Sequence, residues 1–348
     1  MDKNKKEFVD STLKKTPSKK KSKKSKIKKV ILAIVILVIF ILSSVIGYFY
    51  FTLSNVNTVE LDKSNKGLAI SPDVVKKLEE IKDPPVTIAL FGVDRRTEKE
   101  VGNSDTILIA TIDKEHKKIK LTSIMRDSRV AIPGHGLNKI NSAYLYGGPQ
   151  LAVKTLNQNF GLAIKDYVTV DFYSMDKIIT QLGGVKIDVK QNEIQFINDY
   201  QTDTASHQKV KPVQVTKPGL QTLNGLQAVG YSRIRYIGND QQRTERQRTV
   251  LTALLNKVMS GGVASFPSTA GKLTQFVETS LSTTDIVSLG LSALNSGTKN
   301  IVQARFPLDS YLTTPTIDGV SYVVYDLATA KQQLFDYIYK DITPQEKK

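Results

Sequence analysis

Arginines are concentrated in residues 231–250, which read Y-S-R-I-R-Y-I-G-N-D-Q-Q-R-T-E-R-Q-R-T-V. Guanidinium groups pair with phosphate oxygens in a bidentate geometry, and several of them at one place repel one another unless an anion is present. Alternation along a strand-like run puts Arg233 and Arg235 on one face, and Arg243 and Arg246 follow nearby. The segment predicts a pocket for a phosphate-like anion, with a solvated basic surface as the alternative.

A helix is predicted to follow these first arginines, and its spacing indicates which side chains point inward. Asn239 or Asp240 has the character of an N-cap. An apolar stripe then repeats at helical spacing through Val250, Leu254 and Val258. Arg243 and Gln247 lie on the same side as that stripe, toward the core, whereas a solvated patch would put them on the opposite side. This orientation favours an anion bound at the helix N-terminus.

Two aspartates, Asp94 and Asp105, are candidates for a metal site because predicted strands bring them together. Three short apolar runs rich in β-branched residues predict strands at 86–91, 106–112 and 118–124. If these strands form an antiparallel meander, Asp94, Asp105 and Arg126 share one edge of the sheet. Two carboxylates there suit Mg²⁺, which proteins hold by one or two carboxylates together with substrate phosphate. The alternative is that each aspartate caps a turn.

Arg126 also has a simpler explanation. It lies in S-I-M-R-D-S-R, directly before Asp127. An ordinary ion pair at a strand end, which contributes little to stability, would account for both residues.

Several common catalytic arrangements are absent from the sequence. His116, His135 and His207 stand in separate polar contexts, with neither metal-ligand spacing nor a Ser-His-Asp arrangement. The G-G-P turn at 147–149 is not followed by the lysine of a nucleotide-binding loop. The chain has no cysteine, which excludes disulfides, thiolate metal sites and a cysteine nucleophile.

The N-terminal residues have the composition of a membrane anchor. Residues 1–29 hold 13 Lys against 3 acidic residues, and residues 30–51 carry no charge. At about 1.5 Å per residue the uncharged run is long enough for one bilayer crossing. A cleaved signal peptide is the alternative, but no convincing cleavage site follows. The positive-inside rule places residues 1–29 in the cytoplasm and the chain after residue 51 outside the membrane.

Most of the positive charge belongs to the predicted cytoplasmic tail. Of the formal net charge of +16, the tail carries +10, which leaves 36 basic and 30 acidic residues in the remainder. The high pI is therefore mainly a sign of topology, and we expect no nucleic-acid partner.

The remainder of the chain predicts a stalk, one folded domain and a short tail. Residues 52–85 are polar and end in Pro-Pro, which predicts a stalk with a helix at 72–81. The domain is predicted over 86–340, with a tail at 341–348. Residues 191–217 are polar and aperiodic, which indicates a long loop.

Within that domain, a βαβ-like unit and several helices are predicted after the meander. The unit follows a helix at 149–160 and consists of a strand at 167–172, a helix at 174–182 and a strand at 185–189. Further helices are predicted at 223–229, 241–259, 269–278, 285–295 and 327–339, with a strand at 301–306.

Seven short motifs occur in one order along the chain. They are F-G-V-D-R-R at 91–96, N-S-D-T at 103–106, S-I-M-R-D at 123–127, K-I-N-S-A-Y at 139–144, L-G-G-V at 182–185, L-N-G at 223–225 and the arginine segment. Each motif alone is weak, but the ordered set is specific. It resembles the LytR-CpsA-Psr family of Gram-positive cell-wall enzymes over about 86–259.

The resemblance implies both a fold and a reaction. The fold is α/β, a three-layer α-β-α sandwich with a central mixed β-sheet, preceded by one transmembrane helix. A hydrophobic groove would take a polyprenyl chain, and an arginine-rich mouth would take its diphosphate. The implied reaction moves an anionic glycopolymer, of the teichoic acid or capsule type, from a polyprenyl-diphosphate carrier to peptidoglycan. It is a phosphotransfer at the outer membrane face with Mg²⁺ as cofactor.

The resemblance also implies roles for individual residues. Asp94 and Asp105 match the aspartates that bind Mg²⁺. The residues at or beside diphosphate-binding positions are Arg96, Arg126, Arg233, Arg235, Asp240, Arg243 and Gln247. Arg126 is expected to be catalytic, and the general base stays open between Asp94 and Asp127.

The sequence departs from the family pattern at three places, one of which, Met125 in place of a frequent proline, should alter only the local backbone. Asn103 stands where the family often has arginine, so one phosphate contact is lost or is supplied by Arg95 or Arg96. The connection between Arg235 and Arg243 is short, which puts the role of Asp240 in question.

Two other functions fit the same residues. One is hydrolysis of the lipid diphosphate, with water in place of the acceptor. The other is a non-catalytic membrane-bound regulator or polymer-binding module. The predicted topology opposes a transcriptional role, since the lysine-rich tail has no helix-turn-helix pattern.

Overall fold

The computed structural model describes residues 57–95, 100, 102–237, 240–298 and 300–347. The predicted cytoplasmic tail and transmembrane helix, and Arg96 of the predicted site, lie outside these residues. Within the described ranges, no helix is long and apolar enough to cross a bilayer.

Strands and helices alternate along most of the described chain. The strands are β1 (Asn57–Thr58), β2 (Val86–Val93), β3 (Ser104–Asp113), β4 (Lys118–Ile124), β5 (Arg129–Ile132), β6 (Gly136–Lys139), β7 (Asp166–Asp171), β8 (Val185–Val189), β9 (Gly219–Leu223), β10 (Glu278–Thr279), β11 (Asn300–Phe306), β12 (Leu312–Thr313), β13 (Thr316–Ile317), β14 (Val320–Ser321) and β15 (Val324–Tyr325). The helices are α1 (Pro72–Glu79), α2 (Ser142–Phe160), α3 (Phe172–Gln181), α4 (Ile194–Gln208), α5 (Gly225–Arg233), α6 (Asp240–Ser260), α7 (Gly262–Thr274), α8 (Thr283–Asn295) and α9 (Leu327–Lys340).

Among these strands, seven form the central sheet, in the order β1-β10-β7-β2-β3-β4-β11. β2, β3 and β4 are successively antiparallel, which confirms the predicted meander. β7 runs parallel to β2, and β11 runs parallel to β4, so the sheet is mixed. The carboxyl ends of β2, β4, β7 and β11 therefore lie at the same edge as the start of β3.

Helices cover both faces of this sheet, as a three-layer sandwich requires. Alternate residues of β2 face opposite ways. Ala89 and Phe91 join a buried core with residues of α2 and α9. Ile88 and Leu90 face a cavity that α3, α6, α7 and α8 complete on the other side. One face is thus a filled core and the other retains an apolar space.

Three parts of the predicted organisation are wrong. Residues 57–85 are no separate stalk, because Leu68 and Ile70 are buried in the core and β1 pairs with β10. Residues 191–217 contain helix α4, whose polar exposed side weakens its periodicity. β8 pairs with β9 outside the central sheet, so the βαβ-like unit does not form. The helix predicted at 149–160 is confirmed as the part of α2 that follows a kink at Gly147 and Gly148, and α2 has a further segment that starts at Ser142.

Candidate functional site

Asp105 and Arg126 meet at the sheet edge that the meander predicts. Asp105 is the second residue of β3, and Arg126 follows the end of β4. The Nη1 atom of Arg126 donates a hydrogen bond of 2.7 Å to Oδ1 of Asp105. Asp94 follows the end of β2 and is exposed. The predicted convergence of these three residues on one edge is therefore present.

Three guanidinium groups surround the carboxylate of Asp105. Besides Arg126, the Nη2 atom of Arg235 lies 3.1 Å from Oδ2 of Asp105. The Nη2 atom of Arg243 lies 3.7 Å from the same oxygen and donates to the main-chain oxygen of Asp105 at 3.1 Å. Like charges at this spacing repel unless an anion lies between them. In this structure the anion is the side chain of Asp105.

Arg233 and Arg235 do not lie on a strand, which corrects the prediction. A capping box at Asn224 and Gln227 starts helix α5, and Arg233 is its last residue. Ile234 leaves the helical conformation with ψ near 121°, so Arg235 belongs to the connection that follows. The two arginines consequently have different partners.

Arg233 is held by helix α4 and by two aromatic rings. Its Nη1 atom lies 2.9 Å from Oδ2 of Asp203 and 2.9 Å from Oγ1 of Thr204. The guanidinium carbon lies 5.0 Å from the ring centre of Phe172 and 5.2 Å from that of Tyr200. Cation–π contacts of this kind favour the charged group and fix its orientation. These contacts hold the side chain of Arg233 in a fixed position in the wall of the site.

The inward face predicted for helix α6 is confirmed at Arg243, which is 4% exposed. Arg246 and Arg248 are also buried, but they make structural contacts with other elements of the fold. Arg246 donates to Oε1 of Glu193 at 3.0 Å, so it does not join the anion cluster. Arg248 bonds to Ser123 and Gln303, and burial lowers the pKa of this arginine.

Asp127 is engaged on both of its oxygens. Nζ of Lys139 lies 2.7 Å from Oδ1 of Asp127, and Nε of Arg126 lies 3.6 Å from Oδ2. By contrast, no described residue makes an ion pair with Asp94. The two candidates for the general base therefore differ, because Asp127 is already committed to two cations.

Two adjoining cavities lie beside these residues. The polar one has a volume of about 250 Å³, and its lining consists of Asp94, Phe172, Tyr200, Ser232, Arg233, Arg235, Tyr236, Arg243 and Gln247. The apolar one has a volume of about 390 Å³ and lies between the sheet and helices α3, α6, α7 and α8. Phe172, Ser232 and Gln247 line both, so the two spaces meet there. Together they form an apolar chamber that leads to an arginine-lined mouth.

Arg95 is a residue whose role the sequence did not reveal. Its Nε atom lies 3.1 Å from Oδ2 of Asp171, and its Nη1 atom lies 3.8 Å from Oε2 of Glu278. Burial opposes the charge, but the hydrogen bond to Asp171 and the charges of both carboxylates raise the pKa of Arg95. Arg95 is thus not a substitute for the arginine missing at Asn103. It fixes the chain next to Asp94 instead.

Glu278 is itself held by buried hydroxyl groups. Tyr167 donates to Oε1 of Glu278 at 3.0 Å. Tyr144 lies next to it, and burial raises the pKa of Tyr144 to about 12, so its hydroxyl stays protonated. Because Glu278 lies far along the chain from Arg95, no local pattern could have linked them.

Another carboxylate cluster lies at the opposite end of β3. Asp113, His116 and Asp341 are close enough together to hold a metal ion. The ammonium group of Lys120 already lies 2.7 Å from Oδ2 of Asp113 and 3.0 Å from Oδ1 of Asp341. Lys120 therefore neutralises this cluster, which ties α9 to the sheet.

Two predicted site residues are not described. Arg96 lies outside the described ranges, as does the side chain of Asp240. The main chain of Asp240 begins helix α6.

Comparison with known proteins shows the same family along most of the chain. A family model described as the LytR_cpsA_psr family matches residues 47–336. Regulatory protein MsrR of Staphylococcus aureus (strain COL) is 32% identical over 265 residues, which cover 74% of this chain and 76% of MsrR. The polyisoprenyl-teichoic acid--peptidoglycan teichoic acid transferase TagT of Bacillus subtilis (strain 168) is 30% identical over 254 residues, which cover 71% of this chain and 75% of TagT.

Solved structures share the fold as well. One is the LytR-CPS2A-psr family protein YwtF (TagT) with bound octaprenyl pyrophosphate lipid, at 28% identity and a TM-score of 0.57. The match covers 80% of this chain and 99% of that chain.

Proposed function

This chain belongs to the LytR-CpsA-Psr family, and we propose that it transfers an anionic glycopolymer from a polyprenyl-diphosphate lipid to peptidoglycan. The polymer class is that of teichoic acids or capsules. Two relatives, TagT and TagV, are named as teichoic acid transferases, which supports this assignment.

The observation that carries the proposal is the junction of the two cavities. A polyprenyl diphosphate has a long apolar tail joined to a compact, multiply charged head. The apolar chamber suits the tail, and the polar cavity, with Arg233, Arg235 and Arg243 in its wall, suits the head. Phe172, Ser232 and Gln247, which line both spaces, lie where tail and head would join.

A bound diphosphate would replace the carboxylate of Asp105 as the partner of Arg126, Arg235 and Arg243. Phosphate oxygens accept bidentate hydrogen bonds from guanidinium groups and carry more charge than one carboxylate. Arg126, Arg235 and Arg243 would then neutralise the charge that develops on the leaving group. Stabilisation of this kind is often the largest single contribution to catalysis.

We propose Mg²⁺ as the cofactor, held by Asp94 and Asp105. Two hard carboxylates beside a diphosphate are the donor set that this ion prefers, so the residues fit. For Asp105 to bind the ion, the guanidinium groups must first leave one of its carboxylate oxygens. They would do so when they bind the diphosphate instead. When bound, the ion would supply further neutralisation of phosphate charge.

The proposed transfer is a substitution at phosphorus. A hydroxyl oxygen of peptidoglycan forms a bond to the phosphorus that carries the glycopolymer, and the bridging P–O bond breaks. Polyprenyl phosphate leaves with the electron pair. We assign the hydroxyl proton to the oxygen of Asp94 that would not hold Mg²⁺, because Lys139 and Arg126 occupy the oxygens of Asp127. Arg126 is the catalytic arginine, and Asp127 positions it.

We place this reaction at the outer membrane face of a single-pass protein whose N-terminus is cytoplasmic. The partners are then the lipid-linked glycopolymer, peptidoglycan and the membrane, with no nucleic acid. The uncharged run at 30–51 after a lysine-rich tail supports this topology. Protease added to intact cells is expected to degrade the domain from residue 57 onward. Full protection would contradict the assignment.

The test of function is transfer of label by the full chain. Lipid-linked teichoic acid precursor, labelled in the polymer, is incubated with purified protein, Mg²⁺ and peptidoglycan. We expect the label in the insoluble wall fraction. Label released only into solution would indicate a pyrophosphatase. If neither product forms although the lipid binds, a non-catalytic regulator becomes the better description.

A further inference from the structure

Tyr236 is the most exposed of the large hydrophobic side chains described, with 80% of its surface accessible. It follows Arg235 and lines the polar cavity. Its ring stacks on that of Phe196, with centroids 6.2 Å apart and an interplanar angle of 29°. One ring face is therefore backed by the protein, while most of the side chain remains open to solvent.

The order of residues along the two cavities indicates what would lie beside this ring. The lipid tail belongs in the apolar chamber, and the diphosphate belongs at the arginines beyond Gln247. The group on the far side of the diphosphate must leave toward solvent. In the described lining, Arg235 and Tyr236 are the exposed residues besides Asp94. The first sugar of the donor would thus pass this tyrosine.

The other aromatic rings of the polar cavity are already used. Phe172 and Tyr200 both pack against the guanidinium group of Arg233. Tyr236 makes no such contact with a cation of any residue that the structure describes. An amphipathic aromatic ring presents an apolar face that can pack on the C–H face of a sugar while its edge stays in water.

We propose that Tyr236 is the platform for the first sugar of the lipid-linked donor and helps to determine which donors are accepted. This inference rests on the proposed function. It assigns a sugar subsite at the mouth of the polar cavity, with Phe196 holding the ring in position. The hydroxyl group of Tyr236 is not required for stacking.

The experiment compares two lipids on the full chain in detergent. One is a polyprenyl diphosphate without sugar, and the other is the same lipid carrying one N-acetylhexosamine. Tyr236→Ala is expected to weaken binding of the sugar-bearing lipid roughly 3- to 10-fold. It should leave the sugar-free lipid unchanged. Tyr236→Phe should bind both lipids like the unmodified protein.

Tyr146→Ala is the matched control. Tyr146 is also exposed and stacks on His135 at 4.6 Å, but it lines neither cavity. It should affect neither lipid.

Each other outcome has a distinct meaning. If Tyr236→Ala changes both lipids equally or neither, the sugar platform is wrong while the lipid site stands. If the unmodified protein binds neither lipid, the proposed function fails first. If Tyr236→Ala binds both lipids normally but needs more peptidoglycan to reach half-maximal transfer, the sugar on Tyr236 comes from the acceptor, and the donor assignment is overturned.

Discussion

Arg126 donates a 2.7 Å hydrogen bond to Asp105 across the edge of the sheet, joining residues 21 positions apart. Both side chains are partly accessible, at 20% and 14% of their surface. The pair is therefore open to exchange with a ligand. Because Arg235 and Arg243 approach the same carboxylate, Asp105 occupies the place of an anion in a cluster that a diphosphate would use.

Arg126→Ala is expected to lower kcat for glycopolymer transfer by roughly 10²- to 10³-fold, the typical effect of removing one donor to a developing anion. Folding should be preserved, since Asp105 keeps two other arginines. Arg129→Ala is the control, because Arg129 packs on the ring of Tyr322 and is not among the described arginines that approach Asp105. Single-turnover transfer with labelled donor measures both. Transfer by Arg126→Ala at the unmodified rate would exclude this residue from catalysis.

Arg95→Ala is expected to reduce kcat roughly 10- to 100-fold while the KM for the lipid donor stays unchanged. Arg95 holds the chain beside Asp94 through Asp171 and Glu278, so its loss misplaces a catalytic group without removing a lipid contact. Steady-state kinetics with varied donor separate the two constants. Lys77→Ala, which removes an exposed ion pair with Asp73, is the control. An increase in KM alone would show that Arg95 contacts the donor directly.

Ala270→Phe is expected to weaken binding of polyprenyl diphosphate about tenfold or more. Ala270 lines the apolar chamber and is 7% exposed, so the larger ring would fill space meant for the tail. Each buried methylene group that is displaced costs about 0.8 kcal/mol.

Inorganic diphosphate serves as the second ligand for the same variant, and its affinity should not change. Ala293→Phe matches the substitution at another buried alanine, 7% exposed, that does not line the chamber. Calorimetric titration measures the affinity of both variants for both ligands. Equal loss for lipid and inorganic diphosphate would point to general disruption of the fold.

Asp341→Asn is expected to flatten the dependence of stability on acidic pH. Burial would raise the pKa of Asp341, but hydrogen bonds from Lys118 and Lys120 hold it below its ordinary value. A lowered pKa stabilises the folded state above the ordinary value and loses that contribution as pH falls toward the folded value. The free energy of unfolding of the unmodified protein should therefore fall more steeply between about pH 5 and pH 3 than that of the variant. Denaturant titrations across this range measure the slopes, and parallel slopes would contradict the role of Asp341.

The meander and the inward face of α6 were predictable because each rests on local periodicity. Strand alternation and tight connections suffice to place Asp105 and Arg126 at one edge of the sheet. Helical spacing likewise suffices to place Arg243 and Gln247 toward the core. Helix α4 was not predictable in this way. Its apolar and polar residues separate poorly into two faces, so the sequence lacks the helical periodicity that would indicate it.

The sequence by itself determined the kind of chemistry, through ordered arginines and aspartates on elements whose faces can be counted. Only the tertiary structure decided which charges meet. In the folded chain Arg246 forms an ion pair with Glu193, and Arg95 forms one with Glu278. Three other arginines form ion pairs with Asp105. The tertiary structure also decided that an apolar chamber opens onto the arginine-lined mouth. Periodicity specifies the face of one element, whereas ion pairs and cavities arise where elements distant in the chain pack together.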